Sequence, residues 1–194
     1  MALALAAERG YDGTTIALVS ERSGLPASSI YWHFANKDAL LEAAMEHGAR
    51  GWRTSLVALE EGERKPFPDA VRDRLAAGAR ATLRRPEYAR FGTKLVLESR
   101  PEETAPRRVY REIHADVQVS LRAWWRAVLP ADVQDPALAR RLSDLHLAFL
   151  EGLYLDPPDD DEVEVLAELV ARSLVDLVAR WRGQRGPGGR GGAA

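Results

Sequence analysis

The sequence predicts an all-α protein in two parts: a small three-helix N-terminal domain over residues 1–47 and a larger helical C-terminal domain over residues 48–182. Three observations lead there. Apolar residues recur every three or four positions along most of the chain, and no segment alternates apolar with polar at period two. Pro86, Pro101, Pro130, Pro136, Pro157 and Pro158 punctuate these runs as boundaries. With 194 residues, 46% hydrophobic and 29% charged, the chain has the length and composition of a globular protein that buries its own core.

Taken in order, Ala2 to Arg9 reads as a short helix closed by Gly10. Thr14 or Thr15 caps a second helix to about Ser23, with Ile16, Val19 and Ser20 on its inward side. Gly24 closes it, because a tight reversal takes positive φ most easily at glycine. Pro26 suits the first turn of a third helix, about Ala27 to Phe34, with Ile30 and Phe34 buried one turn apart. Asn36 caps a long fourth helix whose apolar positions are Leu41, Met45, Gly48, Trp52, Leu56 and Leu59. A polar break spans Glu61 to Pro68. Helices are then expected over Asp69 to Leu83, Tyr88 to Leu97, Arg107 to Leu129, Ala137 to Tyr154 and Asp161 to Trp181. Gly183 to Ala194 holds six of the chain's 15 glycines and no large apolar side chain, so it is expected to form a flexible tail with Arg185 and Arg190 solvated.

Composition excludes several chemistries. Without cysteine there is no disulfide, thiolate metal site or cysteine nucleophile. No run approaches the roughly 20 apolar residues that cross a bilayer. Met1 to Ala7 is apolar but brief, lacks a basic lead and meets Glu8-Arg9, so no secretory signal and a cytoplasmic location are expected. Net charge is −2, and within residues 1–47 Arg9, Arg22 and Lys37 oppose Glu8, Asp12, Glu21, Asp38, Glu42 and Glu46. Nucleic-acid contact therefore has to come from a small local surface rather than a broad basic field.

Residues 13–41 supply such a surface. Two short helices joined by a glycine turn pack steeply if small residues lie where they cross, and Ala17, Ser20 and Gly24 are candidates. The second helix then faces outward with Ser28, Ser29, Tyr31, Trp32 and His33, whose hydroxyl, indole and imidazole groups suit base edges and thymine methyls in a major groove. Lys37 in the first turn of the next helix opposes the helix dipole, so local stability does not account for it. A phosphate docked on the free N–H groups there would, and Thr15 offers the same service from the second helix.

The run from Thr14 to Leu40 resembles the helix-turn-helix of the TetR (tetracycline-repressor) family, and the likeness extends back to Gly10-Tyr11. It is carried by the Thr14-Thr15 opening, Gly24 in the turn, Tyr31-Trp32-His33-Phe34 and Lys37-Asp38 with Leu40 after them. The resemblance implies a transcriptional repressor released from a palindromic operator by a small-molecule effector. It implies backbone contacts from Thr15, Tyr31, His33 and Lys37, with Ser28, Ser29 and Trp32 nearest the bases. Pro26 stands where the family often has a capping Ser or Thr, and Ser20 where alanine is usual. The family's first helix commonly starts further upstream with basic residues, so a basic arm ahead of Met1 would offset the acidic balance.

In the larger domain, Leu138, Leu142, Leu145, Phe149 and Leu153, flanked by Leu150, form one apolar stripe. Leu166, Leu169, Val170, Leu174, Leu177, Val178 and Trp181 form another. Stripes this wide point to burial on two sides, against the chain's own core and against a second copy, giving a homodimer through the last two helices. A two-fold dimer would set its reading helices about 34–36 Å apart, one DNA turn. Tyr88, Phe91, Leu95, His114, Val117, Leu121, Trp124, Trp125, His146 and Phe149 are candidates to line an effector pocket, or equally a filled core. The resemblance implies that an effector acts by favouring one dimer geometry over another. No cofactor, metal or membrane contact is expected.

Catalysis is the rival class. His114 and Asp116 stand two apart on a helix and do not share a face, His146 reads as a polar member of the core or pocket, and Asp159 to Glu162 suits the start of the last helix. No enzyme is expected. A helix-turn-helix scaffold that works through protein partners without specific DNA binding is the other alternative.

Overall fold

The computed structural model describes residues 1–57, 65–99 and 101–185, with backbone alone for 52–57, 160 and 185. Nine α-helices stand among them: α1 (Ala2–Arg9), α2 (Ile16–Ser23), α3 (Ala27–His33), α4 (Lys37–Val57), α5 (Phe67–Arg84), α6 (Pro86–Leu97), α7 (Ala105–Val128), α8 (Pro136–Leu155) and α9 (Asp160–Arg185). A 3-10 turn occupies Ala131–Val133, and no described residue is in a strand. The protein is all-α, with an N-terminal helix-turn-helix and a C-terminal helical domain.

Every expected helix is present, with four adjustments. α5 begins at Phe67, so Phe67 and Pro68 of the expected polar break are helical. The third helix ends at His33; Phe34 is its cap, extended (φ −129°, ψ 121°) and half-buried. The chain must leave the helix there, because α4 starts only three residues on. Pro26 is the residue before α3 rather than inside its first turn, and its carbonyl accepts from the Ser29 and Ile30 N–H groups. The last helix continues to Arg185, so the first three residues of the expected tail are helical. Residues 186–194, Leu59, residues 61–64 of the expected break, and the side chains of Trp52 and Leu56 lie outside what is described.

Met1–Ala58 with Ala81–Val117 make one compact unit, and Leu59–Arg80 with Gln118–Ala194 make a second. The unit that holds α1–α3 is thus larger than residues 1–47, because α4 is too long to be covered by α1 alone.

In the first unit, α1 is buried on two sides. Leu5 joins Ile16, Val19, Ile30 and Leu40 in a small core that fixes α2 and α3. Ala6 and Ala7 face a second core made by Leu41 and Met45 of α4, Tyr88, Phe91 and Leu95 of α6, and Val109 and Tyr110 of α7. Alanine at those two positions lets α1 lie close to α4 and α6. Gly92 does the same for α6, since a Cβ there would collide with the Tyr110 ring. Gly10 ends α1 at φ 73°. Lys94 Nζ donates to the Glu8 carbonyl at 2.6 Å, adding a cation to the last turn of α1, where the dipole favours it.

In the second unit, Asp135 organises one end of α8 and α9. Its Oδ1 accepts from the Ala137 and Leu138 N–H groups, capping α8, while Oδ2 accepts from Trp181 Nε1 at 3.2 Å. Arg182 pairs with Asp132 beside it. The α8 stripe divides into two faces. Leu138, Leu142, Leu150 and Leu153 are buried, whereas Leu145 is exposed and Phe149 half-buried. Leu145 falls on the outer side of α8, and the buried face is continued by Ser143, His146 and Leu147 instead. On α9, Leu174 and Val178 are buried, Leu166, Val170 and Trp181 half-buried, and Val165, Leu169 and Leu177 exposed.

Candidate nucleic-acid interface

The two threonines that open α2 take different jobs. Thr14 is buried and donates its hydroxyl to the Gly10 carbonyl at 2.8 Å, tying the end of α1 to the start of α2. Thr15, exposed and extended, is the cap: its Oγ1 accepts from the Leu18 N–H at 3.1 Å. α2 turns its Ile16 and Val19 inward and ends at Gly24 in the left-handed region (φ 71°, ψ 4°). Ser20 donates to the Leu25 carbonyl at 2.6 Å and so closes the turn. Of the three small residues expected at the crossing, Ala17 is instead exposed, because it follows inward Ile16 by one step, about 100° round the helix.

α3 is held to the small core through Ile30, 5% exposed, with Ala27 and Phe34 packed partly against it. The rest of the helix faces outward. Ser28, Ser29 and His33 are exposed, Tyr31 is 57% exposed and Trp32 82%. Ser28, Ser29, Trp32 and His33 line one shallow hollow, and the Trp32 and His33 rings meet edge to face at 4.6 Å. An indole this exposed gains little from the chain's own core.

Lys37 has an intrachain explanation that the sequence does not offer. Its ammonium donates to the Tyr11 carbonyl at 2.9 Å and stands 4.0 Å from the Tyr11 ring centroid. This corrects the inference that stability of the chain itself does not account for a lysine at that point of α4. Tyr11 in turn donates its hydroxyl to Asp38 Oδ1 at 3.0 Å, and Asp38 Oδ2 accepts from the Ala105 N–H, the first residue of α7. Asn36 caps α4 as expected, accepting from the Ala39 N–H at 2.9 Å. Tyr11 and Asp38 are the residues sequence reasoning missed as supports of this surface. Their contacts span 27 and 67 residues, beyond any local spacing rule.

The candidate effector residues fall in two sets. Tyr88, Phe91 and Leu95 are filled core of the first unit, packed with Ala6, Ala7, Leu41 and Met45. His114 is half-buried with its ring 5.9 Å from Tyr110, and Val117 is half-buried. In the second unit Leu121, Trp125 and His146 are buried, and Trp124 and Phe149 half-buried. The Trp124, Trp125 and His146 rings cluster at 4.9–6.3 Å. Burial, then the Arg74 charge, lowers the His146 pKa to about 3. Among the described residues no three acidic or histidine side chains group as metal ligands, and no helix is long and apolar enough to cross a membrane.

Comparison with known proteins adds four findings. A family described as bacterial regulatory proteins, tetR family, matches residues 1–44. The regulator BetI of Burkholderia thailandensis, an HTH-type transcriptional regulator, is 31% identical over 152 residues, covering 76% of this chain and 73% of that protein. The class D tetracycline repressor of Escherichia coli is 37% identical over 103 residues, 53% of this chain and 44% of that one, so this chain spans under half the length of that repressor. Among solved structures, the TetR-family regulator PfmR of Thermus thermophilus has a TM-score of 0.65 at 21% identity, covering 92% of this chain and 91% of its own, a likeness of fold.

Proposed function

Since the chain belongs to the TetR family of bacterial regulatory proteins, we propose that it is a DNA-binding transcription regulator, a repressor released from a palindromic operator by a small-molecule effector. The observation that carries this reading is Trp32, 82% exposed on a helix anchored by Ile30 and flanked by exposed Ser28, Ser29 and His33. Ser28, Ser29 and Trp32 read base edges. Thr15, Tyr31, His33 and Lys37 touch the phosphate backbone and set the register. Lys37 has donors beyond the one used on Tyr11, so one ammonium serves both.

The active species is a homodimer through α8 and α9. Exposed Leu145 with half-buried Phe149 on α8, and exposed Val165, Leu169 and Leu177 on α9, support this, because a lone chain leaves that apolar surface in water. Residues 1–47 form the reading domain, 48–182 the effector and dimer domain, and 183–194 a tail. The protein works in the cytoplasm and is not an enzyme.

The test is binding of the full chain to short duplexes from its own genomic neighbourhood across a salt series. A DNA reader releases counterions, so affinity falls steeply with salt. A protein adaptor, the reading favoured by the acidic balance of residues 1–47, ignores the duplexes at every salt concentration.

A further inference from the structure

We infer that α3 discriminates among bases by a methyl group: the C5 methyl of a thymine in each half-site packs on the Trp32 indole, and no base is chosen by a bidentate hydrogen bond from this helix. The inference rests on the regulator reading, which it deepens by naming the feature of the DNA that is read.

The first ground is what α3 lacks. Its seven residues, Ala27–His33, include no Arg, Lys, Asn, Gln, Asp or Glu. Guanine is specified by a bidentate Arg or Lys, adenine by a bidentate Asn or Gln, and cytosine by a carboxylate. None of those partners stands on this helix. Its outward groups are two hydroxyls, a phenol, an indole and an imidazole. A hydroxyl both donates and accepts, and an indole N–H only donates. Guanine, adenine and thymine each present an acceptor in the major groove, so a single donor does not tell them apart. The C5 methyl is different in kind, because among the four bases only thymine carries it.

The second ground is where the indole stands. With Ile30 inward, Ser28 and Trp32 lie about 160° and 200° round the helix from it, on either side of the outward pole. That line of side chains faces the floor of the groove when the helix enters it. Trp32, 82% exposed, is the largest apolar surface on the line, and it is open to a methyl group. Ser28, Ser29 and His33 line the same hollow, and the His33 ring meets the indole at 4.6 Å and 90°, occupying one of its flanks. The serine hydroxyls beside it satisfy whichever polar base edges come near, and the choice of base falls to the indole.

The test uses duplexes that the full chain selects from a randomised pool at low salt. Each thymine of the selected half-site is replaced in turn by uracil, which keeps every hydrogen-bonding group and lacks only the methyl. At one position uracil is expected to weaken binding about fourfold, the scale of one buried methyl group, and about fifteenfold when both half-sites carry it. Thymines outside the half-sites should tolerate the change. Trp32→Ala should bind the thymine and uracil duplexes alike, and Trp32→Phe, which keeps an aromatic ring there, should keep part of the difference. Because Trp32 is exposed, both variants keep the fold, which circular dichroism checks. Uracil without effect at every position, a uracil effect undiminished in Trp32→Ala, or selected half-sites that hold no thymine would each overturn the inference and leave the regulator reading standing. A pool that yields no enriched duplex sinks the regulator reading itself.

Discussion

The Tyr11 hydroxyl donates to Asp38 Oδ1 at 3.0 Å across 27 residues of chain. The other oxygen of the same carboxylate accepts from the Ala105 N–H at 3.0 Å, and the ring of the same tyrosine lies under Lys37. One side chain therefore ties the turn after α1, the first turn of α4 and the start of α7 together. Tyr11→Phe should lower stability by about 1 kcal/mol, and Asp38→Ala by more, because the Ala105 N–H then loses its acceptor as well. Chemical denaturation of the two variants checks this; equal effects would show that the Ala105 contact adds nothing.

Trp32→Ala should leave the unfolding midpoint within about 0.5 kcal/mol of the parent, since an exposed side chain contributes little to folding. It should change which duplexes are preferred. Lys37→Met should instead weaken binding to all duplexes alike and also cost stability, because its ammonium sits on Tyr11. Competition binding on a panel of sequence variants separates the two patterns, and a reversal would exchange the assigned roles.

Leu169→Glu places a charge in the exposed apolar face of α9. The helix content should hold, the dimer should dissociate, and duplex affinity should fall by orders of magnitude as the paired half-sites are lost. Sedimentation at matched concentration, alongside circular dichroism, reads both properties. A variant that stays dimeric moves the interface elsewhere.

Gly92→Ala forces a methyl into the Tyr110 ring and should cost about 1–3 kcal/mol, the usual range for overpacking. Gly183→Ala, with open space around it near the end of α9, should be neutral or gain a few tenths of a kcal/mol through helix propensity. Thermal midpoints of the pair test whether close approach, rather than glycine as such, matters at position 92.

His146 sets a pH dependence. Its ordinary value of 6.5 applies in the unfolded chain, and burial with the Arg74 charge lowers it to about 3 in the fold. Below pH 6.5 the unfolded chain takes up a proton that the folded chain refuses. The contribution of neutral His146 is thus whole above pH 6.5 and is lost as pH falls towards 3, by about 1.4 kcal/mol per pH unit. Asp73, held below 3.8 chiefly by Lys65, then by Arg72, loses its own contribution only below that pH, so the two windows overlap only at the acid end of the His146 range. Urea midpoints at pH 6.5, 5.5 and 4.5 should fall in the parent and stay flatter in His146→Gln.

Local pattern was enough for the helices and for the outward face of α3, because period and capping act over a few residues. Ile30 inward with Trp32 outward follows from periodicity alone. Pattern failed where partners are distant. Lys37 looks unexplained until Tyr11 folds beneath it, and Ala17 looks like a crossing residue until Ile16 takes that place. The candidate effector residues show the same limit. Apolar character marks Phe91 and Trp125 alike, but only three-dimensional packing separates a filled core around Phe91 from a ring cluster around Trp125 with unsatisfied polar atoms.

α3 is seven residues long, Ile30 alone is buried, and five of its side chains stand free of the core. Specificity and foldability are therefore nearly uncoupled there. The helix can be recoded at positions 28, 29, 31, 32 and 33 to address new targets while the scaffold beneath stays the same, which makes this short stretch the natural place for directed evolution to begin.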